Sequence, residues 1–144
     1  MITYIEHDGV HYATIIGRNF EADGIKFFTP NEYSQQLAYM KRPKGHVIQE
    51  HYHNPVPREV VHTQEVLLIK SGKVRIDFYD NDQQYFACET LLAGDVILLA
   101  TGGHGFEMLE ESEMIEIKQG PYAGMDDKTR FEGKTTIEAG LKST

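Results

Sequence analysis

The sequence predicts an all-β domain, and three observations carry that prediction. Apolar residues alternate with polar ones or come in short runs. Turn-forming glycine and proline recur at roughly ten-residue spacing, as between short strands. No stretch shows the sustained 3.6-residue periodicity of a long amphipathic helix. About ten short strands joined by turns make a sandwich or barrel, not a parallel βαβ sheet.

The elements follow from local pattern. Tyr12–Ile16 comes after the turn-like His7-Asp8-Gly9 and closes an N-terminal hairpin region. Ile25–Phe28 follows Asp23-Gly24. Asn31–Met40 is ambiguous between a short helix and a strand, and its Leu37-Ala38-Tyr39-Met40 end reads as strand. His46–His53 is a less apolar strand candidate. Val66-Leu67-Leu68-Ile69 is a short buried run. After Ser71-Gly72, Val74, Ile76 and Phe78 alternate with Lys73, Arg75, Asp77 and Tyr79, which completes a hairpin. Asp95–Leu99, Phe106–Leu109 and Met114–Gln119 finish the set, and Gly120-Pro121 stops the last strand. Beyond it the pattern fades, so Asp126–Thr144 is expected to be a surface tail with about one turn of structure.

At 144 residues the chain is one domain, long enough to bury a real core. A net charge of −8 argues against a nucleic-acid or anionic-membrane partner, because nothing would neutralise phosphates. One cysteine, Cys88, allows no intrachain disulfide and suggests a reducing, cytoplasmic setting. Without basic neighbours in sequence, Cys88 reads as a small buried or half-buried residue rather than a nucleophile. The N-terminus carries no secretory pattern and no apolar run approaches a membrane span.

Histidine is the unusual entry in the composition. Four of the seven lie between residues 46 and 62. On a strand, Gln49, His51 and His53 would share one face, so two imidazoles could reach one cation. Glu65 opens the next strand, and Gly102-Gly103-His104-Gly105 reads as a tight turn aiming His104 inward. The same glycines lack the Lys-Ser or Lys-Thr that a P-loop requires.

This constellation resembles the cupin superfamily. The first cupin motif is a glycine, five residues, His-x-His, three or four residues, a glutamate, six residues and a glycine. Here it is matched by Gly45, His51-Tyr52-His53, Glu65 and Gly72. The second is matched more loosely by Gly94, Ala100 in the proline position, Gly102, and His104 one residue early. Eleven residues, Asn54–Gln64, separate His53 from Glu65 where the family has three or four.

The resemblance implies a double-stranded β-helix, a jelly-roll barrel of two antiparallel sheets over residues 27–119. Residues 1–26 would be N-terminal strands suited to exchange in a homodimer, and 120–144 a tail. It implies that His51, His53, Glu65 and His104 bind one divalent metal, with His62 of the insert as an extra or substitute ligand. Three imidazoles and a carboxylate suit manganese, iron, nickel or zinc. Gln49, Tyr39, Arg58 and Lys118 are the candidates for substrate contact or proton transfer, and Gln36 and Met40 are candidates to line the barrel mouth beside Tyr39. His46, His7 and His11 carry no functional weight.

Two functions compete. One is a metal-dependent enzyme, an isomerase, epimerase or dioxygenase acting on a sugar, sugar nucleotide or keto acid. The other is a non-catalytic module binding a metal or small ligand. A third reading is a metal-free enzyme with a histidine general base.

Overall fold

The computed structural model describes residues 1–133. It is all-β and antiparallel, with ten strands and one 3₁₀ turn among the described residues. The strands are β1 (Ile2–His7), β2 (Val10–Ile16), β3 (Gly24–Phe27), β4 (Ala38–Lys41), β5 (Glu65–Ser71), β6 (Lys73–Tyr79), β7 (Tyr85–Leu92), β8 (Val96–Leu99), β9 (Gly103–Met108) and β10 (Glu113–Lys118). They form a five-stranded sheet in the order β1-β2-β8-β5-β10, a three-stranded sheet β7-β6-β9 and a β3-β4 pair.

The larger sheets enclose one core. Leu67, Ile69, Ile97, Leu99, Ala13 and Ile15 enter it from the five-stranded sheet. Val74, Ile76, Phe78 and Leu91 enter it from the three-stranded sheet, with Phe106 packed alongside. The alternation in β6 therefore does what its period requires: every second side chain points into the core. Arg75 and Asp77 point the other way, where Arg75 forks onto Asp77 at 2.9 and 3.0 Å and reaches Glu107 at 2.7 Å.

Between β5 and β6 the chain turns at Gly72, whose φ of +88° lies in the left-handed region, and crosses from the five-stranded to the three-stranded sheet, so the expected hairpin does not form: β5 pairs with β8 and β10, and β6 with β7 and β9. A Cβ there would also run into the Ser112 hydroxyl, the Glu111 carbonyl and the Ser112 Cα at 2.7 Å. Gly72→Ala is expected to cost at least about 2 kcal/mol, because dihedral strain and a backbone clash act together. Urea unfolding measures it, and an unchanged midpoint would refute the account.

The β3-β4 pair is tied back to the five-stranded sheet by its connecting segment. His11 bonds Tyr33 at 2.5 Å and Thr14 at 2.8 Å, and Ser34 and the Gln35 amide donate to Gln64. Burial lowers the His11 pKa and so favours the neutral ring, one nitrogen of which donates and the other accepts in these two bonds.

Several further expectations need correction. His46–His53 forms no strand; residues 41–63 are exposed throughout and from 42 to 64 carry no strand or helix. Its apolar residues, Val47, Ile48 and Tyr52, follow no alternation that would bury one face. His104 lies within strand β9 rather than in a turn. The strand β7 was not expected, because Tyr85–Leu92 is half-buried on both faces and shows no clean period. The tail does hold one turn, Gly124–Asp127, but residues 127–131 and Gly133 line the cleft described next. The expected tail beyond residue 133 lies outside the described residues. No helix among them is long and apolar enough to cross a membrane.

Candidate functional site

A cleft of about 1160 Å³ opens at one end of the core. Its inner wall follows from strand parity. Glu65 shares the inward face of β5 with Leu67 and Ile69, which are core residues. On the neighbouring strand, Lys118 lies opposite Glu65 and Glu116 opposite Leu67. From the other sheet, His104 lies opposite Phe78 and shares a face with Phe106. Two sheets thus bring Glu65, Glu116, Lys118 and His104 to the same end of the core.

His104 Nε2 donates to Glu65 Oε1 at 2.8 Å, with side-chain exposures of 30% and 15%. That hydrogen bond holds the Glu65 carboxyl well below its usual range, to about 2, against the opposing effect of burial. Glu116 also hydrogen-bonds Glu65, and this bond pushes Glu116 up. Glu65 is thus the anion of the group, and Glu116 holds its proton more tightly than a free glutamate. With Nε2 committed to Glu65, Nδ1 of His104 has no hydrogen-bond partner among the described residues.

The C-terminal segment forms the outer lip. The Thr63 hydroxyl donates to Asp127 Oδ1 at 2.7 Å. Phe131 packs edge-on against Tyr79, with ring centroids 5.2 Å apart. It also lies over Gly103, where a Cβ would sit 2.7 Å from the Phe131 ring. The glycine beside His104 therefore serves the lip: any side chain there displaces Phe131.

The expected site residues divide. Glu65, His104, His62 and Lys118 line this cleft. His51 and His53 do not; they are exposed in the segment before β5. Their rings lie 5.5 Å apart, and His51 Nδ1 donates to the Gln49 carbonyl at 2.8 Å. Gln49 is exposed there as well. Tyr39 packs edge-on against Phe20 in the β3-β4 layer, and Met40 is exposed beside it. Arg58 borders a separate shallow pocket with Gln36 and Gln119. Cys88 is half-buried, one of the two placements expected of it. Sequence reasoning did not single out Glu116, Lys128 or Arg130 in the cleft. The strand spacing of Glu116 and Lys118 was the available signal for the first.

The four implied metal ligands do not form one set in this arrangement. Among the described residues, no group of three or more His, Cys, Asp or Glu is placed to hold a metal ion. Glu65 and His104 instead satisfy one another. Comparison with known protein families, with curated proteins and with solved structures found no match to this chain.

Proposed function

We propose that this chain is a cupin-type, double-stranded β-helix protein whose cleft binds a small polar molecule and exchanges a proton with it through His104. The observation that supports this is the 2.8 Å bond from His104 Nε2 to the Glu65 carboxylate. A carboxylate on one ring nitrogen fixes the tautomer and stabilises the imidazolium that forms when the other takes a proton. His104 Nδ1 is the base in this reading. It takes a proton from carbon next to a carbonyl, the electron pair moves onto the carbonyl oxygen, and the Lys118 ammonium offsets the new negative charge. Return of the proton to the same carbon from the other face gives epimerisation; return to the former carbonyl carbon, with the proton of the adjacent hydroxyl passing to the enediolate oxygen, gives isomerisation of a hydroxy-ketone such as a ketose.

Hydrogen–deuterium exchange at such carbons, followed by NMR over a panel of ketoses and keto acids, tests the reading. His104→Gln is expected to slow exchange by about 10²-fold or more, and chelators are expected to leave the wild type unaffected. Exchange indifferent to His104→Gln, or none across the panel, would sink it.

A second reading is supported by the two close pairs, His51 with His53 and Glu65 with His104. In that reading the exposed segment carries His51 and His53 to the cleft, and the four hold manganese, iron, nickel or zinc. Stoichiometric metal by elemental analysis in protein purified without a metal column, lost in both His51→Ala and Glu65→Ala, would favour it over the first.

A further inference from the structure

The two sheets leave a seam open along the cleft. β9 is an edge strand of the three-stranded sheet and β10 an edge strand of the five-stranded sheet. Glu116 and Lys118 of β10 line the cleft, and so does every residue from Gly103 to Glu107 of β9. Successive residues of a strand point to opposite faces, so the cleft runs along the free edge of β9. Among the described residues no strand pairs with that edge, which offers its amides and carbonyls to whatever enters the cleft.

The same chain carries an extended arm that pairs with no strand among the described residues. Residues 42–57 are exposed throughout and line neither the cleft nor the shallow pocket. Their one backbone hydrogen bond among the described residues, from the His46 amide to the Pro43 carbonyl at 3.1 Å, is internal. Yet Val47, Ile48, Tyr52 and Val56 are each more than half exposed, an apolar run that solvent alone does not favour. Residues 44–54 hold no proline, so every amide there can donate to a ladder. Charge fits as well. Arg42 and Lys44 against Glu50 give the arm +1, which leaves −9 for the rest of the −8 chain. The cleft itself is lined by six carboxylates and four Lys and Arg residues among those described.

We propose that residues 44–54 of one copy add as a strand to the open β9 edge of a second copy, which returns its own arm to the first. Geometry favours a second copy over the arm's own body. The arm leaves at Lys41 on β4 and returns at Arg58 beside Asn31 and Gln36, on the side of the β3-β4 pair. β9 belongs to a different sheet, the three-stranded one. Sixteen residues running out and back reach about 25 Å from the body, enough to cross to a neighbour. Each copy gives one arm and receives one, an exchange that closes with two-fold symmetry. Residues 1–26 are not what is exchanged, because β1 pairs with β2 and β2 with β8 of the same chain.

The surface area agrees. The chain exposes 10404 Å², whereas a compact monomer of 16.4 kDa exposes about 7500 Å². Counting the eleven residues after Gly133 at the full unfolded-chain area still leaves an excess on the order of 1500 Å² per copy. Two such excesses buried against each other fall within the roughly 2000–5000 Å² of obligate dimers. In the dimer the partner's arm becomes a wall of the cleft that holds Glu65 and His104.

Light scattering of the full chain is expected to give twice 16.4 kDa at micromolar concentration. Cross-linking locates the arm. In a Cys88→Ala background, one chain carries Gln49→Cys and a second, isotope-labelled chain carries Met108→Cys at the end of β9. After refolding together, a short bismaleimide is expected to join labelled to unlabelled chain. With both cysteines on one chain, linked dimers are expected rather than a bridge inside the chain. Val47→Pro with Ile48→Pro removes a ladder donor whichever of the two neighbours faces β9. It is expected to raise the dimer dissociation constant at least tenfold and to leave circular dichroism unchanged, since the arm lies outside the core. A particle of 16.4 kDa, a bridge confined to one chain, or a dimer indifferent to the prolines would each overturn the inference. None of these measurements needs substrate or metal, so their failure and the failure of proton exchange by His104 are separate results.

Discussion

Glu65→Gln will flatten the acid side of the stability curve. In the folded protein the Glu65 carboxyl is lowered from 4.5 to about 2, chiefly by the bond from His104. A carboxyl lowered on folding contributes stability that is fully present above its unfolded pKa. That contribution fades as pH falls toward the folded value. The gap between wild type and Glu65→Gln should therefore be widest near neutral pH, narrow below about pH 4.5 and close near pH 2. A shift of this size corresponds to about 3 kcal/mol at most. Glu116 acts in the opposite sense, because its raised carboxyl favours the folded state at low pH and loses that contribution as pH rises. The two share one hydrogen bond, so a net loss of about 2 kcal/mol is expected at pH 7. Urea unfolding from pH 2 to 8 measures it. A gap between the two proteins that does not change with pH would show that Glu65 is not held as an anion by His104.

Phe78→Ala is expected to cost about 3–5 kcal/mol, the range for removing a large side chain that cannot be refilled. Phe78 is 1% exposed on the central strand of its sheet. The midpoint of thermal unfolding should drop by on the order of 10 °C. The site should suffer with the fold, because Phe78 lies directly opposite His104 in the β6-β9 register. Proton exchange, if His104 carries it, should fall by more than the unfolded fraction explains. A loss below about 1 kcal/mol would mean that the core collapses around the gap.

Parts of this arrangement were legible from spacing alone. The alternation of Val74, Ile76 and Phe78 and the glycine before it placed strand β6 and the turn that opens it, although β6 pairs with β7 and β9 and not with β5 as the expected hairpin would. Both signals are local: period-2 burial and a left-handed turn are written in neighbouring residues. Glu65 and His104 were both selected in the sequence, and the structure brings them to 2.8 Å. Two-residue parity aims Glu65 at the core from β5, whereas His104, read from the sequence as a turn residue, owes its direction to strand β9.

Other parts were not legible because they depend on distant partners. His51 and His53 would share a face on a strand, but a strand exists only where another strand accepts its hydrogen bonds. Residues 42–64 have no such partner. The reverse holds for β7, whose sequence shows no clean alternation but whose backbone pairs with β6 along Tyr85–Leu92. Propensity is overridden there by the edge that β6 offers. The lip was hidden for a similar reason. Nothing near Lys128 or Arg130 in sequence announces a site; Phe131 finds its place because Gly103, some thirty residues earlier, has no side chain.

By itself, then, the sequence determined an all-β chain, most of its strands and the two residues at the heart of the cleft. These follow from burial period and turn chemistry, which act over a few residues. The tertiary structure decided which histidines meet a carboxylate, which stay in solvent, and which charged groups gather around the cleft. Those outcomes depend on contacts between residues far apart in the chain, where sheet pairing and close packing choose the neighbours.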